Sequence, residues 1–143
     1  MRNISFALTT KQILAQTKTV TRRLGWKFLK PGDYLCGVEK SQGLKPGEKL
    51  VRLNVIRVIS VAREMLQEIA ELDAKDECRK EGFPEMHPDV FIEMFCEHMG
   101  CTPTTWVTRI EFAYVTLEEW CDLVDKDENL RAWKWKQKCG GGG

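Results

Sequence analysis

Residues 17–23 read Thr17-Lys18-Thr19-Val20-Thr21-Arg22-Arg23. This stretch places three cations and three hydroxyl groups within seven residues. Because β-branched residues favour extended backbone, we predict a turn into a strand over 19–23. Hydroxyls and cations together suit the oxygen atoms of a phosphate or a carbonyl group. The stretch therefore indicates a strand that carries a polar site.

Lys18 and Thr21 are residue types that can act together as a base and a hydroxyl in a hydrolytic pair. A lysine that is buried, or close to another cation such as Arg22 or Arg23, loses its proton more easily and can activate a hydroxyl. Residues three apart on a strand point to opposite faces. The two side chains therefore converge only if Lys18 lies in the turn before the strand. The alternative is a solvated basic edge strand, on which lysine discourages aggregation.

The rest of the first half predicts short strands joined by turns. Alternating apolar residues indicate a strand over 4–8, and Thr9-Thr10 caps a short helix over 11–15. A Pro-Gly-Asp turn at 31–33 leads into a strand over 34–39, and a loop follows over 41–49. The longest strand runs over 51–63. Its apolar alternation slips at Ile56, which predicts a bulge or a bend.

The second half is richer in helix. We predict a helix over 65–80, and another that begins at Pro88 and ends at Gly100. The stretch Trp106–Tyr114 alternates as a strand with one face of large residues, and a short helix follows over 117–121. This order of elements predicts an α+β domain on a small β-barrel.

The ordered set of motifs resembles the ASCH domain over roughly residues 3–115. The residues that carry the resemblance are Lys18-Thr19-Val20-Thr21-Arg22-Arg23, Pro31-Gly32-Asp33, Glu81-Gly82-Phe83 and Ile110-Glu111-Phe112. The chain departs from the family in having Thr17 where a glycine is usual, and in its 41–50 loop and its tail after Thr116. The resemblance implies a PUA-like β-barrel with flanking helices. We place this domain at 1–116, a C-terminal helix and basic tail at 117–139, and a glycine tail at 140–143.

The resemblance also implies an activity. Some small ASCH proteins are amidohydrolases that remove the acetyl group from N4-acetylcytidine. Their catalytic lysine, threonine and glutamate correspond by position to Lys18, Thr21 and Glu81. Other ASCH proteins bind or cleave RNA. The alternative function is therefore a non-catalytic RNA-binding module, or a ribonuclease, that uses the same basic cleft. We expect no cofactor in either case.

The charge distribution favours an anionic partner. Residues 1–63 carry 13 Lys and Arg against 3 Asp and Glu, whereas residues 64–128 carry 5 against 18. Folding can also mix the two halves in space, in which case the asymmetry carries no function. We expect the partner to be RNA or a modified nucleoside. The residues expected to contact it are Thr19, Arg22, Arg23, Lys27, Lys40, Arg131 and Lys134. Trp133 and Trp135 in the tail would either stack on bases or pack against the barrel.

The six cysteines complete the sequence predictions. Without an export signal we expect a cytoplasmic protein whose cysteines are free thiols or metal ligands. Cys96, His98 and Cys101 are weak candidates for a zinc site. His98 also lies on the apolar stripe of the predicted helix, where a core histidine is the simpler interpretation. No apolar run is long enough to cross a membrane, so we expect no membrane partner.

Overall fold

The computed structural model describes residues 1–71, 74–127 and 130. Its elements, in chain order, are β1 (Arg2–Ser5), α1 (Thr10–Leu14), β2 (Val20–Arg23), β3 (Tyr34–Val38), β4 (Arg52–Met65), a 3₁₀ helix (Leu66–Ala70), α2 (Ala74–Lys80), α3 (Pro88–Met99), β5 (Trp106–Tyr114) and α4 (Leu117–Lys126). This agrees with the α+β class predicted from the sequence.

The five strands form one mixed sheet in the order β1-β3-β4-β5-β2, which curls into a half-barrel. β1 runs parallel to β3, and the other neighbours are antiparallel. β4 is the central strand and pairs with β3 at its start and with β5 further along. Its register with β5 shifts between Val58 and Ser60, where Ile59 is 44% exposed. The predicted bulge is confirmed, and its extra residue lets Val58 and Val61, three positions apart, pack in the same hydrophobic cluster.

The core consists of three packed clusters. The first packs on one face of the sheet and includes Phe6, Ile13 and Phe112. A second, around Cys36 and Trp120, packs α4 against the other side. The third joins the 3₁₀ helix, α2 and α3 to β5. The site described below lies where the first and third clusters meet.

Three predictions need correction. The first strand, predicted over 4–8, is Arg2–Ser5, and Ala7 and Leu8 lie in a turn before α1. The segment 65–80 is not one helix: Met65 ends β4, and the 3₁₀ helix precedes α2. The backbone N–H of Leu66 donates to Thr105 O at 3.0 Å, which ties this segment to the loop before β5 instead of to a helical turn. Trp106, predicted on the large-residue face of β5, is 54% exposed because it pairs with Met65 at the far end of the sheet.

The boundaries of α3 agree with the sequence prediction. Pro88 occupies its first turn, and the helix ends at Gly100, which adopts the left-handed conformation with φ 65°. Among the helices of the described residues, none is long and apolar enough to span a bilayer.

Candidate active site

Lys18 lies in the turn between α1 and β2, as the convergence with Thr21 requires. The backbone carbonyl of Lys18 accepts a hydrogen bond from the Tyr114 hydroxyl at 2.6 Å, which fixes the turn against β5. The lysine is only 3% exposed. Its side chain is therefore directed into the protein, although a lysine in a turn would ordinarily extend into water.

Glu81 holds the end of this lysine. The Nζ atom of Lys18 donates to Glu81 Oε1 at 2.9 Å and to the Glu81 backbone carbonyl at 2.6 Å. Glu81 directly follows α2, and the next residue, Gly82, has φ 101°. Most side chains avoid this conformation. The glycine therefore lets the chain turn immediately after Glu81, close to Lys18.

Arg22 is enclosed by carboxylates. Its guanidinium donates to Glu64 at 2.8 Å, to Glu77 at 2.6 Å and to Glu81 Oε2 at 2.9 Å. Burial alone would lower the pKa of Arg22, but the charge of Glu81 and the hydrogen bond to Glu77 raise it above its usual value. Arg22 is thus a fixed cation that orients Glu81.

Arg23 is arranged differently and supports Thr21. Its Nε donates to Thr21 Oγ1 at 3.1 Å, and its Nη2 donates to the Ser5 carbonyl at 2.6 Å. The guanidinium also lies 5.0 Å from the centre of the Phe6 ring. Burial lowers the pKa of Arg23 to about 10, with the charge of Glu81 acting in the opposite direction. Because Arg23 donates to the hydroxyl oxygen, the hydroxyl proton of Thr21 remains available to a base.

The protonation of Lys18 is set mainly by its burial. Desolvation lowers the pKa of Lys18 below its usual 10.5, whereas the charge of Glu81 and its hydrogen bond raise it. The net direction is downward. A buried lysine of this kind is easier to deprotonate than one in water, which is the property that a general base needs.

Lys18, Thr21, Arg23 and Glu81 all line one cavity of about 420 Å³. This size lies within the range of pockets for small ligands. Much of the remaining lining is hydrophobic and comes from α3 and the residue Phe83. We call this the apolar wall, and it consists of Phe83, Phe91, Met94, Phe95 and Met99. The cavity thus has ionisable groups in one part and an apolar surface in another.

Solved structures share this architecture. The ASCH domain from Lactobacillus crispatus JV V101 superimposes with a TM-score of 0.51 at 14% identity, over 79% of this chain and 78% of that one. Protein EF3133 from Enterococcus faecalis V583, of family DUF984, gives a TM-score of 0.53 at 15% identity, over 80% and 76%. Protein PH0355 gives 0.54 at 16%, over 80% and 96%. The fold is that of an ASCH domain.

At these identities the similarity concerns the ASCH fold and not the chemistry. No family model matches the sequence, and no curated protein matches it. The roles of individual residues in this ASCH fold therefore depend on the geometry described above.

The other predicted contact residues are dispersed. Lys40 lines the cavity and lies 3.5 Å from Glu48. The contacts of Thr19 are made by its backbone. Its N–H donates to Lys80 O at 2.8 Å, and its carbonyl accepts from the Phe112 N–H at 2.9 Å. Lys27 is exposed and does not line the cavity. Arg131 and Lys134, with Trp133 and Trp135, lie outside the described residues.

The structure does not support the zinc candidates. No group of three or more His, Cys, Asp or Glu residues that could hold a metal occurs within 1–71, 74–127 and 130. Cys96 and Cys101 lie close together, with their Sγ atoms 4.0 Å apart. His98 is two residues from Cys96 on α3, and such residues do not face each other on a helix. His98 is exposed and lines the cavity, so its interpretation as a core histidine was wrong.

Sequence reasoning missed two features of the cavity. The apolar residues of α3 were read as a stripe for the core, and only the structure shows that several of them also face the cavity. Trp26 was not considered, yet it lines the cavity and has φ 56°, which is unusual for a residue other than glycine. The glycine before it, Gly25, was the one available signal for this turn.

Proposed function

We propose that this protein is an amidohydrolase that removes an acyl group from the exocyclic amine of a cytidine-type nucleoside. The observation that carries the proposal is the buried Lys18, bonded to Glu81, at a cavity that Thr21 also lines. A phosphate-binding surface requires cations that are free to meet the ligand. Here Arg22 is surrounded by carboxylates and Lys18 is buried, an arrangement that favours proton transfer over phosphate binding.

Each side chain has a role that follows from its contacts. Lys18, in its neutral form, takes the proton from the Thr21 hydroxyl or from a water molecule that this hydroxyl orients. Arg23 already donates to Thr21 Oγ1 and stabilises the negative charge that develops on that oxygen. Glu81 carries the proton onward because it already bonds Lys18 Nζ. Arg22 holds Glu81 in place through its second oxygen.

The reaction balances without a cofactor. The oxygen nucleophile adds to the amide carbonyl carbon, the carbon–nitrogen bond breaks, and the proton passes to the leaving nitrogen. When Thr21 is the nucleophile, the acyl group is left as an ester on its oxygen, and a water molecule then adds to that ester, breaks its carbon–oxygen bond and returns a proton to Thr21. Overall, one water molecule is consumed, and the products are the free cytidine amine and a carboxylic acid. In the resting structure Lys18 Nζ bonds Glu81. Catalytic hydrogen bonds often tighten only when substrate is bound, so we expect Lys18 to approach Thr21 in the complex.

Substitution of Lys18 tests the proposal. Lys18→Arg keeps a positive charge but cannot act as a base, and Lys18→Met keeps the approximate length without the charge. We expect both to lower kcat/KM for N4-acetylcytidine by roughly 10²–10⁴-fold. Lys11→Arg, at an exposed lysine of α1 outside the cavity, is the control and should leave activity unchanged. Thermal unfolding of each variant separates loss of chemistry from loss of folding.

Full activity in a folded Lys18→Arg variant would contradict this mechanism. The second candidate is an RNA-binding module, which the ASCH fold and the basic first half of the sequence favour. For that candidate, Lys18→Arg should retain most of the RNA affinity because the charge persists. Wild-type protein that binds RNA but hydrolyses none of a panel of acylated cytidines would favour the binding module.

A further inference from the structure

The backbone around Trp26 adopts an uncommon conformation. Gly25 has φ 78° and Trp26 has φ 56°, so two consecutive residues are left-handed. Among the non-glycine residues that the structure describes, the only other positive φ is at Gln16. A bulky side chain in this region is a strained arrangement. Strain of this kind persists only where neighbouring contacts hold it, and it is concentrated at ligand sites.

Those neighbouring contacts are present. The buried hydroxyl of Thr108 donates to the Gly25 carbonyl, and Arg63 donates to the same Thr108 hydroxyl at 2.8 Å. The indole packs partly against the first core cluster, and its ring centroid lies 5.5 Å from that of Phe28. The turn is therefore fixed from β5, and it holds the indole at the cavity with part of its surface uncovered.

Three of the other aromatic rings of the cavity are less available. Phe6, Phe91 and Phe95 are 2%, 2% and 9% exposed, and the guanidinium of Arg23 covers Phe6. Phe83 is partly exposed, as Trp26 is, but it offers a smaller ring, whose centroid lies 6.1 Å from that of Phe91. Trp26 combines the largest π-surface of the lining with partial exposure. Such a surface suits a flat heteroaromatic ring, because every base has a π-face that can stack on an aromatic side chain.

We infer that Trp26 is a stacking platform for the nucleobase, and that it places the exocyclic amide of the substrate at Lys18 and Thr21. This inference rests on the proposed function for the identity of the ligand. It assigns the base, and not the acyl group, to the Trp26 side of the cavity. The apolar wall on α3 is then left to contact the acyl group. Trp26 acts as a positioning and specificity residue and takes no part in proton transfer.

The test separates stacking from simple packing. Trp26→Leu removes the π-surface, and Trp26→Phe retains a smaller one. For a nucleoside substrate, Trp26→Leu should raise KM by roughly 5- to 150-fold with a much smaller change in kcat, and Trp26→Phe should have an intermediate effect. Trp26→Asn is a further variant that tolerates the left-handed backbone and cannot stack, so it guards against loss of folding. Trp106→Phe, at an exposed tryptophan outside the cavity, is the control.

A binding measurement makes the result independent of turnover. Cytidine, the expected product, should quench the tryptophan fluorescence of the wild type and of Trp106→Phe, but not that of Trp26→Phe. Unchanged cytidine affinity in Trp26→Leu, or quenching that persists in Trp26→Phe, would overturn the inference. So would a wild type that does not bind cytidine. Cytidine binding that depends on Trp26 without any hydrolysis would instead disprove the proposed function and leave the stacking site standing.

Discussion

At the scale of single residues, the site depends on the environment of Lys18. A lysine side chain is rarely buried because removing its charge from water is unfavourable. Here the loss is partly offset by Glu81, which accepts a hydrogen bond at 2.9 Å from Nζ. Desolvation is the larger effect and lowers the pKa of Lys18. The arrangement therefore keeps the lysine close to its reactive partner in a state from which the proton is more easily lost.

This environment predicts the pH dependence of the reaction. If neutral Lys18 is the base, kcat/KM should rise with pH, and the midpoint of that rise should lie below 10.5. The same shift affects stability. Between the lowered pKa of the folded protein and 10.5, the unfolded chain binds more protons at Lys18 than the folded chain does. The contribution of Lys18 to the free energy of unfolding therefore rises with pH over this range. The measurement is a pH–rate profile of the wild type. A rise in kcat/KM that is centred at or above pH 10.5 would contradict this assignment of Lys18 as the base.

At the scale of elements, the end of α2 decides where Glu81 lies. Gly82 follows with φ 101°, and its carbonyl accepts a hydrogen bond from Gln12 of α1 at 3.2 Å. A Cβ atom at Gly82 would lie 3.0 Å from Gln12 Cγ and 3.6 Å from Lys18 Cβ. This junction therefore joins α1, α2 and the turn that carries Lys18, with no space for a side chain.

The junction predicts different effects for two alanine substitutions. Gly82→Ala imposes both an unfavourable φ and a contact with Gln12, and we expect it to lower the free energy of unfolding by about 2–3 kcal/mol. It should also lower kcat because Glu81 is displaced. Gly32→Ala is the matched control, since Gly32 has φ 96° but nothing within 4 Å of the added atom. It should cost only the backbone strain, about 1 kcal/mol, and leave kcat unchanged. Equal losses of activity in the two variants would contradict this explanation.

At the scale of the whole molecule, folding brings the basic and acidic halves of the sequence together. Arg22 of β2 and Arg109 of β5 are directly opposite in the sheet, and both bind Glu77 of α2. Arg57 of β4 similarly donates to Glu119 of α4 at 3.0 Å. The charge asymmetry of the sequence is thus partly neutralised within the protein. It is weaker evidence for an anionic partner than the residue counts suggested.

Glu77 links this ion network to acid stability. Burial would raise the pKa of Glu77, but hydrogen bonds from Arg109 and Arg22 lower it to about 2. Because its folded pKa is below its usual 4.5, the stabilisation is complete above about pH 4.5 and is lost as the pH falls towards 2. Glu77→Gln should lower the free energy of unfolding by about 1–2 kcal/mol at pH 7. This is less than for a fully buried pair, since water screens the partly exposed carboxylate.

The difference between Glu77→Gln and wild type should shrink as the pH falls through this range, as measured by denaturant unfolding at several pH values. Asp76→Asn is the control on the same helix. The side chain of Asp76 is 46% exposed and pairs with Arg79 and Lys80 at the surface, so its substitution should have little effect on the free energy of unfolding. A difference that stays constant from pH 7 to pH 2.5 would show that Glu77 does not act through its charge.

The sequence by itself determined the four later strands, the ends of α3 and the bulge in β4, but it placed the first strand too far along the chain. These features depend on local signals: alternating apolar residues, a proline and a glycine at helix ends, and a slip in the alternation at Ile56. It also identified Lys18, Thr21 and Glu81 as candidates, through the order of motifs. Spacing along the chain could not bring Glu81 to Lys18, because 63 residues separate them.

Only the tertiary structure decided the environment of these groups. Burial of Lys18, the enclosure of Arg22 by carboxylates and the support of Thr21 by Arg23 all depend on β2, α2 and β1 meeting at one place. The cavity position of Trp26 likewise depends on Thr108, which holds the Gly25 carbonyl from β5. Desolvation and hydrogen bonding act through space, so side chains that read as a basic surface along the chain become a buried site once the strands and helices pack.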